Sequence, residues 1–249
     1  MMTFEQAVNT VLHEAANVLV QTSSLTAIAW IGITLICYIG ALKLSHKANG
    51  HPLLHPLIIT TCLVLSAVFI LHHSVTNYQQ YTALIHWLLG PATVALALPM
   101  YAQWQKVREL GWRIVVAVTV AGVIAPLLAW LCLYLTSTPL ALQMTVLAKS
   151  ITTPLAMETS RIIGGIPALA AVFVITTGIV GAIAGPFTFR VLHITHPQAQ
   201  GIALGSVAHA IGTARAIRMG EAQAAMASLG LCLNGIMTAI VLPLIIHML

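Results

Sequence analysis

From Leu25 to Leu249 the chain runs as a succession of apolar stretches separated only by short gaps. A helix needs about 20 mostly apolar residues to cross the hydrocarbon of a bilayer. Eight stretches approach that requirement: 25–44, 53–72, 83–103, 112–135, 140–158, 163–185, 199–217 and 222–247. Hydrophobic residues make up 59% of the 249 positions, and Asp, Glu, Lys and Arg together only 6%. A soluble domain carries about 25% charged residues, so lipid rather than water must be the solvent for most of this surface. Backbone groups in hydrocarbon have to be satisfied within the segment. The expected fold is therefore all-α, a polytopic transmembrane bundle of about eight spans forming one membrane domain over 24–249.

The first 23 residues differ. Phe4, Val8, Val11, Leu12, Ala15 and Leu19 share one helical face, with Glu5, Gln6, Asn9 and His13 away from it. That pattern fits an amphipathic helix lying in the interface better than a short span. With Glu5 and Glu14 and no Lys or Arg in the first twenty residues, the segment lacks the basic start of a cleavable signal peptide.

The basic residues set orientation. Lys43 and Lys47 follow the first stretch, Lys106, Arg108 and Arg113 the third, Arg161 the fifth and Arg218 the seventh, while 73–82 and 136–139 carry none. Only Arg190 falls on the other side. A multi-pass protein of the inner (plasma) membrane with both termini outside the cytoplasm satisfies this bias. The formal charge of +5 is thus topological, and no basic face exists to track the phosphates of a nucleic acid. Cys37, Cys62, Cys132 and Cys232 lie inside apolar stretches without a CxxC pair, and read as packing residues.

Three stretches are interrupted in mid-membrane by small polar residues: Gly90-Pro91-Ala92-Thr93, Lys149-Ser150-Ile151-Thr152-Thr153-Pro154, and His209-Ala210-Ile211-Gly212-Thr213-Ala214-Arg215. Gly suits the position just past a helix, and Thr followed by Pro suits a helix start. Each interruption can therefore end one half-helix and begin another. Broken helices at membrane depth mark transporter sites, commonly within inverted repeats. The stretches from Gly90 and Gly205 share small-residue spacing and a basic exit, but an inverted repeat is expected here from transporter architecture rather than from that faint likeness.

Lys149 sits near the middle of its stretch, where an ammonium costs roughly 2.5–3.5 kcal/mol. It either faces a cavity or partner, or snorkels to the interface. Ser150, Thr152 and Thr153 follow, and such hydroxyls often bond back to their own helix. Beside a lysine and a Thr-Pro helix start, they also suit an anion such as a carboxylate, because free N–H groups and positive potential gather there. His209, Thr213 and Arg215 form a second set. Arg215 could pair with a carboxylate or snorkel with Arg218; His209 could carry a proton or pack against a backbone carbonyl. Asn234, between Leu233 and Gly235, reads as an interhelical hydrogen bonder more readily than as a ligand contact. Glu158 and Arg161 are explained by an ordinary helical ion pair. The histidines at 51 and 55, 72 and 73, and 193 and 196 have ligand-like spacing, but stand near span ends without Cys or Asp. No catalytic triad, phosphate loop, metal cluster or cofactor motif is apparent, and neither an enzyme nor a cofactor is expected.

Four motifs resemble the LrgB/CidB family of bacterial membrane proteins, which includes the membrane half of the plastid glycolate/glycerate translocator. They are LLGPATVALALPMY (Leu88 to Tyr101), KSITTPLAM (Lys149 to Met157), GGIPALAAVFVITTGIVGA (Gly164 to Ala182) and GIALGSVAHAIGTARA (Gly201 to Ala216). The likeness spans about residues 30–247. Ala148 stands where members often carry a proline, and Pro186 where many carry a histidine. The resemblance implies either transport of small monocarboxylates such as glycolate, glycerate or pyruvate, or holin/antiholin-like control of murein hydrolase activity and lysis. It also implies a small LrgA/CidA-type membrane partner, and a homodimer is expected. Its motifs fall on Lys149, Ser150, Thr152, Thr153, Pro154, His209, Gly212, Thr213 and Arg215. With Thr93 and Asn234, these are the residues expected to meet a small carboxylate.

Overall fold

The computed structural model of the chain describes residues 4–48, 54–88 and 111–248, together with Pro91, Val94, Tyr101, Gln105, Arg108 and Glu109. All regular structure among the described residues is helical, and the chain divides into two compact units, Met1–Ala92 and Thr93–Leu249.

The first unit holds α1 (Phe4–Thr22), α2 (Leu25–Lys47), α3 (Pro56–Ile70), α4 (Val75–Tyr81) and α5 (Ala83–Trp87). Ser24 starts α2 by accepting the Ala27 N–H at 3.1 Å, the usual way an N-cap satisfies a donor that the helix leaves free. His55 starts α3 similarly, its Nδ1 accepting from the Leu57 N–H at 3.3 Å, with Pro56 in the first turn. Trp30, Val64 and Val68 form the core of this unit, with Tyr78 and Tyr81 packed against it.

The second unit holds α6 (Trp112–Leu135), α7 (Leu140–Leu147), α8 (Thr153–Ile162), α9 (Pro167–Val191), α10 (Pro197–Ile217) and α11 (Glu221–Met248). Helix α10 packs on both α9 and α11. Ile114 and Val118 of α6 meet Met226 and Leu229 of α11. Phe189, Leu204, Ala216 and Ala227 join α9, α10 and α11. Ala148, Ile151, Ala156, Ala170 and Val174 gather the chain between α7 and α8 against α9.

Among the described residues four helices are long and apolar enough to cross a membrane, α2, α6, α9 and α11, and α3 with α4 count as a fifth only if that pair, bent by 112°, is one span. The eight expected spans are thus, among the described residues, fewer continuous helices and several broken ones. The stretch 112–135 forms one helix over the same residues. The stretch 140–158 does not, since α7 stops at Leu147 and α8 starts at Thr153. Hydropathy averages over a window and cannot distinguish one helix from two halves.

Helix ends explain most of the histidine spacing. After α3, the N–H groups of His72 and His73 return to the carbonyls of Phe69 and Val68; after α9, those of His193 and Ile194 return to Arg190 and Phe189. This is the pattern of a helix closed by a left-handed residue, and His72 (φ 55°) and His193 (φ 54°) occupy that position. His55 and His196 are N-caps. These histidines terminate helices, which accounts for their place at span ends.

Candidate functional site

Helix α7 has 8 residues, about 12 Å of rise, and cannot cross a bilayer alone. The chain then turns through Ala148, Ser150 and Ile151, at 0%, 2% and 0% exposure. Thr152 is the N-cap of α8 in extended backbone (φ −68°, ψ 150°), with Pro in the first turn. The helix thus starts one residue ahead of the expected Thr153-Pro154 step. Thr152 makes no capping bond, and its Oγ1 is buried without a hydrogen-bond partner. The Lys149 ammonium reaches the Ser150 hydroxyl at a long 3.4 Å. Among the described residues no carboxylate pairs with it; the Glu158–Arg161 pair, at 2.5 Å, is exposed. Thr153 and Pro154 are half-buried.

Helix α10 breaks at His209, whose backbone (φ 42°, ψ −131°) is not helical. In a straight helix, residues eight apart stand about 12 Å apart along the axis. Here a Cβ on Gly212 would collide with the carbonyl oxygen of Leu204 and lie 2.7 Å from the Ala208 Cβ. The two halves of α10 therefore fold sharply onto each other, and glycine at 212 permits it. Thr213 donates its hydroxyl to the His209 carbonyl at 2.9 Å. The His209 side chain, 2% exposed, places Nε2 2.8 Å from the Val174 carbonyl. A carbonyl only accepts, so this ring nitrogen carries the proton. The ring lies where a Cβ on Gly178 would be, with Cε1 2.6 Å away. Of the two roles left open for His209, this contact matches the packing one. Arg215 is half-buried, with its Nε buried and without a hydrogen-bond partner.

Asn234 of α11 joins the two interruptions. Its side chain, 0% exposed, donates through Nδ2 to the Ser150 carbonyl at 3.0 Å and to the Ser206 carbonyl at 2.8 Å. Val174 supplies a second link, since it packs with Ala148 and Ile151 and receives His209. The structure thus brings together Ser150, Asn234, His209 and Thr213. Lys149 touches this group through Ser150. No hydrogen bond ties Arg215 to the group among the described residues, and Thr93, with Gly90 and Ala92 of the first interruption, lies outside those residues. Sequence reasoning missed Ser206, Val174 and Gly178. All three lie inside the motifs that carry the resemblance, and nothing marks Val174 among its apolar neighbours. Among the described residues no three His, Cys, Asp or Glu side chains gather as a metal would require.

Long apolar helices around two interrupted ones, joined through buried polar contacts, define a multi-pass membrane protein built on discontinuous helices. The chain belongs to the LrgB-like family, whose model matches residues 34–248. It is 34% identical over 229 residues to the uncharacterized protein YxaC of Bacillus subtilis (strain 168), covering 88% of this chain and 95% of that protein. It is 33% identical over 226 residues to the antiholin-like protein LrgB of Bacillus mycoides (strain KBAB4), covering 89% and 96%. The same figures hold for the antiholin-like protein LrgB of Bacillus cereus (strain B4264). No solved structure matches the chain.

Proposed function

We propose that the protein is a secondary transporter of small organic anions in the inner membrane, carrying monocarboxylates such as glycolate, glycerate or pyruvate in a proton-coupled cycle. One observation carries this reading. Two interrupted helices meet through Asn234, and at their interruptions the Thr152 hydroxyl and the Arg215 Nε are buried without hydrogen-bond partners. A buried polar group without a partner costs about 1–3 kcal/mol. A bound carboxylate would supply acceptors for both. Lys149 and Arg215 would provide charge, Ser150, Thr152, Thr153 and Thr213 hydroxyls, and the α8 start its free N–H groups. His209 would carry the proton. Helix α1 would lie in the interface as an amphipathic segment, and the bundle would work as a homodimer beside a small LrgA/CidA-type partner.

A second reading is favoured by the names of the relatives, several of which are antiholin-like. It makes the chain a regulator of murein hydrolase activity and lysis without stoichiometric transport. Proteoliposomes separate the two. Saturable uptake of labelled glycolate or pyruvate, lost in Lys149→Ala, supports the carrier. Dye leakage without saturable uptake would sink it and leave the antiholin reading.

A further inference from the structure

We infer that Asn234 is a positioning residue that braces both interruptions, so that 148–152 and the kink at His209 hold one register and move together. A helix that stops leaves carbonyls without intrahelical donors. Among the described residues, no backbone N–H outside a regular helix reaches the Ser150 carbonyl, and the Asn234 amide supplies the missing donor at 3.0 Å. Ser206 lies one turn before the kink, and its carbonyl takes the other bond at 2.8 Å. The two acceptors lie 84 and 28 residues from Asn234, so one side chain does for two distant segments what a continuous helix would do for itself. With both bonds made, no amide N–H is left for a substrate, which turns Asn234 from a ligand contact into a support for the residues that make one.

The other end of the amide is seated as closely. A Cβ on Gly122 of α6 would collide with the Asn234 Oδ1, and the Thr238 hydroxyl approaches the same oxygen at 3.5 Å. Only a residue without a side chain at 122 leaves room for the carbonyl end while the N–H₂ end faces the interruptions. Gly122 therefore belongs to the brace, although it touches neither broken segment.

The functional half of this inference rests on the carrier reading; the structural half does not. The test is amide hydrogen exchange of the full chain in lipid nanodiscs, comparing wild type with Asn234→Leu and with Gly122→Ala. Gly122→Ala asks only a side-chain end to move and keeps the fold if Asn234→Leu does not. We expect exchange at 148–153 and at 207–212 to quicken together by about tenfold in either variant, while 180–190 is unchanged. Response at only one segment, at neither, or uniformly along the chain overturns the brace. In proteoliposomes, a brace that leaves about one molecule in ten aligned raises the KM for glycolate about tenfold without lowering Vmax. Paired exchange in a protein with no saturable uptake would keep the brace and remove the carrier; saturable uptake with unchanged KM and unpaired exchange would do the reverse.

Discussion

Both units of this chain contain a broken helix, and the breaks differ in what they leave unsatisfied. In the first unit α3 and α4 meet at 112°. The turn closes on itself, with His72 and His73 bonded back to Phe69 and Val68 at 3.2 and 3.1 Å and Ser74 accepting from the Asn77 N–H at 3.1 Å. Around it stand rings: His73 and Tyr78 each meet Trp30 edge-on at 5.5 Å. In the second unit the breaks are buried, and several of their polar groups are satisfied only by distant residues or by none. The buried side-chain atoms without partners among the described residues are on Thr152, Ser160, Ser206 and Arg215, all in the second unit. A bend alone therefore says little about function. A break becomes a candidate site when it strands polar groups that local geometry cannot satisfy.

The largest effect that would test this contrast is expected at Gly212. A Cβ there meets the Leu204 carbonyl, and the Leu204 carbonyl carbon at 3.0 Å, which are backbone atoms with no rotamer to escape into. Gly212→Ala should force the halves of α10 apart and destabilise the protein by about 3 kcal/mol, read as a lowered thermal midpoint in detergent. A variant as stable as wild type would show that α10 does not fold back at His209, and the second unit would lose its distinctive break.

How much of this could be read beforehand follows from the range of each signal. The chain between Lys149 and Pro154 announces itself locally, by a lysine, hydroxyls and a proline in an apolar stretch, and the break lies there. The third interruption is legible too, and the preference of glycine for the position just past a helix points within it to Gly212. The non-helical backbone falls on His209, because Val174 and Thr213 fix its ring and carbonyl while Gly212 provides clearance. Neither contact has a sequence signal, and although histidine enters the left-handed helical region more readily than most residues, a φ of 42° with a ψ of −131° lies outside that region. Asn234 was visible as a polar residue in lipid, but its two acceptors are far away in sequence. Long apolar runs fixed the helical membrane class; the span count could not follow, since a helix that stops at Leu147 and restarts at Thr153 leaves no mark in a hydropathy average.

An effect of middle size is expected at Thr152. Valine has nearly the shape of threonine without the hydroxyl, and that hydroxyl is buried with no partner. Thr152→Val should leave stability unchanged or raise it by up to about 1 kcal/mol. If the hydroxyl serves a bound carboxylate, uptake of glycolate should still fall about tenfold, the worth of one such bond at roughly 1.4 kcal/mol. Stability lost along with uptake would mean that the group is structural and that the break resembles the satisfied turn of the first unit.

The smallest effect is expected where the two units are compared like for like, glycine against glycine. A Cβ on Gly40 of α2 would meet nothing within 4 Å, whereas Gly212 admits none. Gly40→Ala should therefore act only through helix propensity, stabilising α2 by about 0.5–1 kcal/mol, with uptake unchanged. The sign matters more than the size. If Gly40→Ala instead destabilised the protein or suppressed uptake in the membrane, while remaining neutral in dilute detergent, something must lie against that face of α2 in the bilayer. Close approach of helices at small residues is how membrane helices associate, so the first unit would then be where a second helix docks, and its open glycine would be as constrained as the buried one at 212.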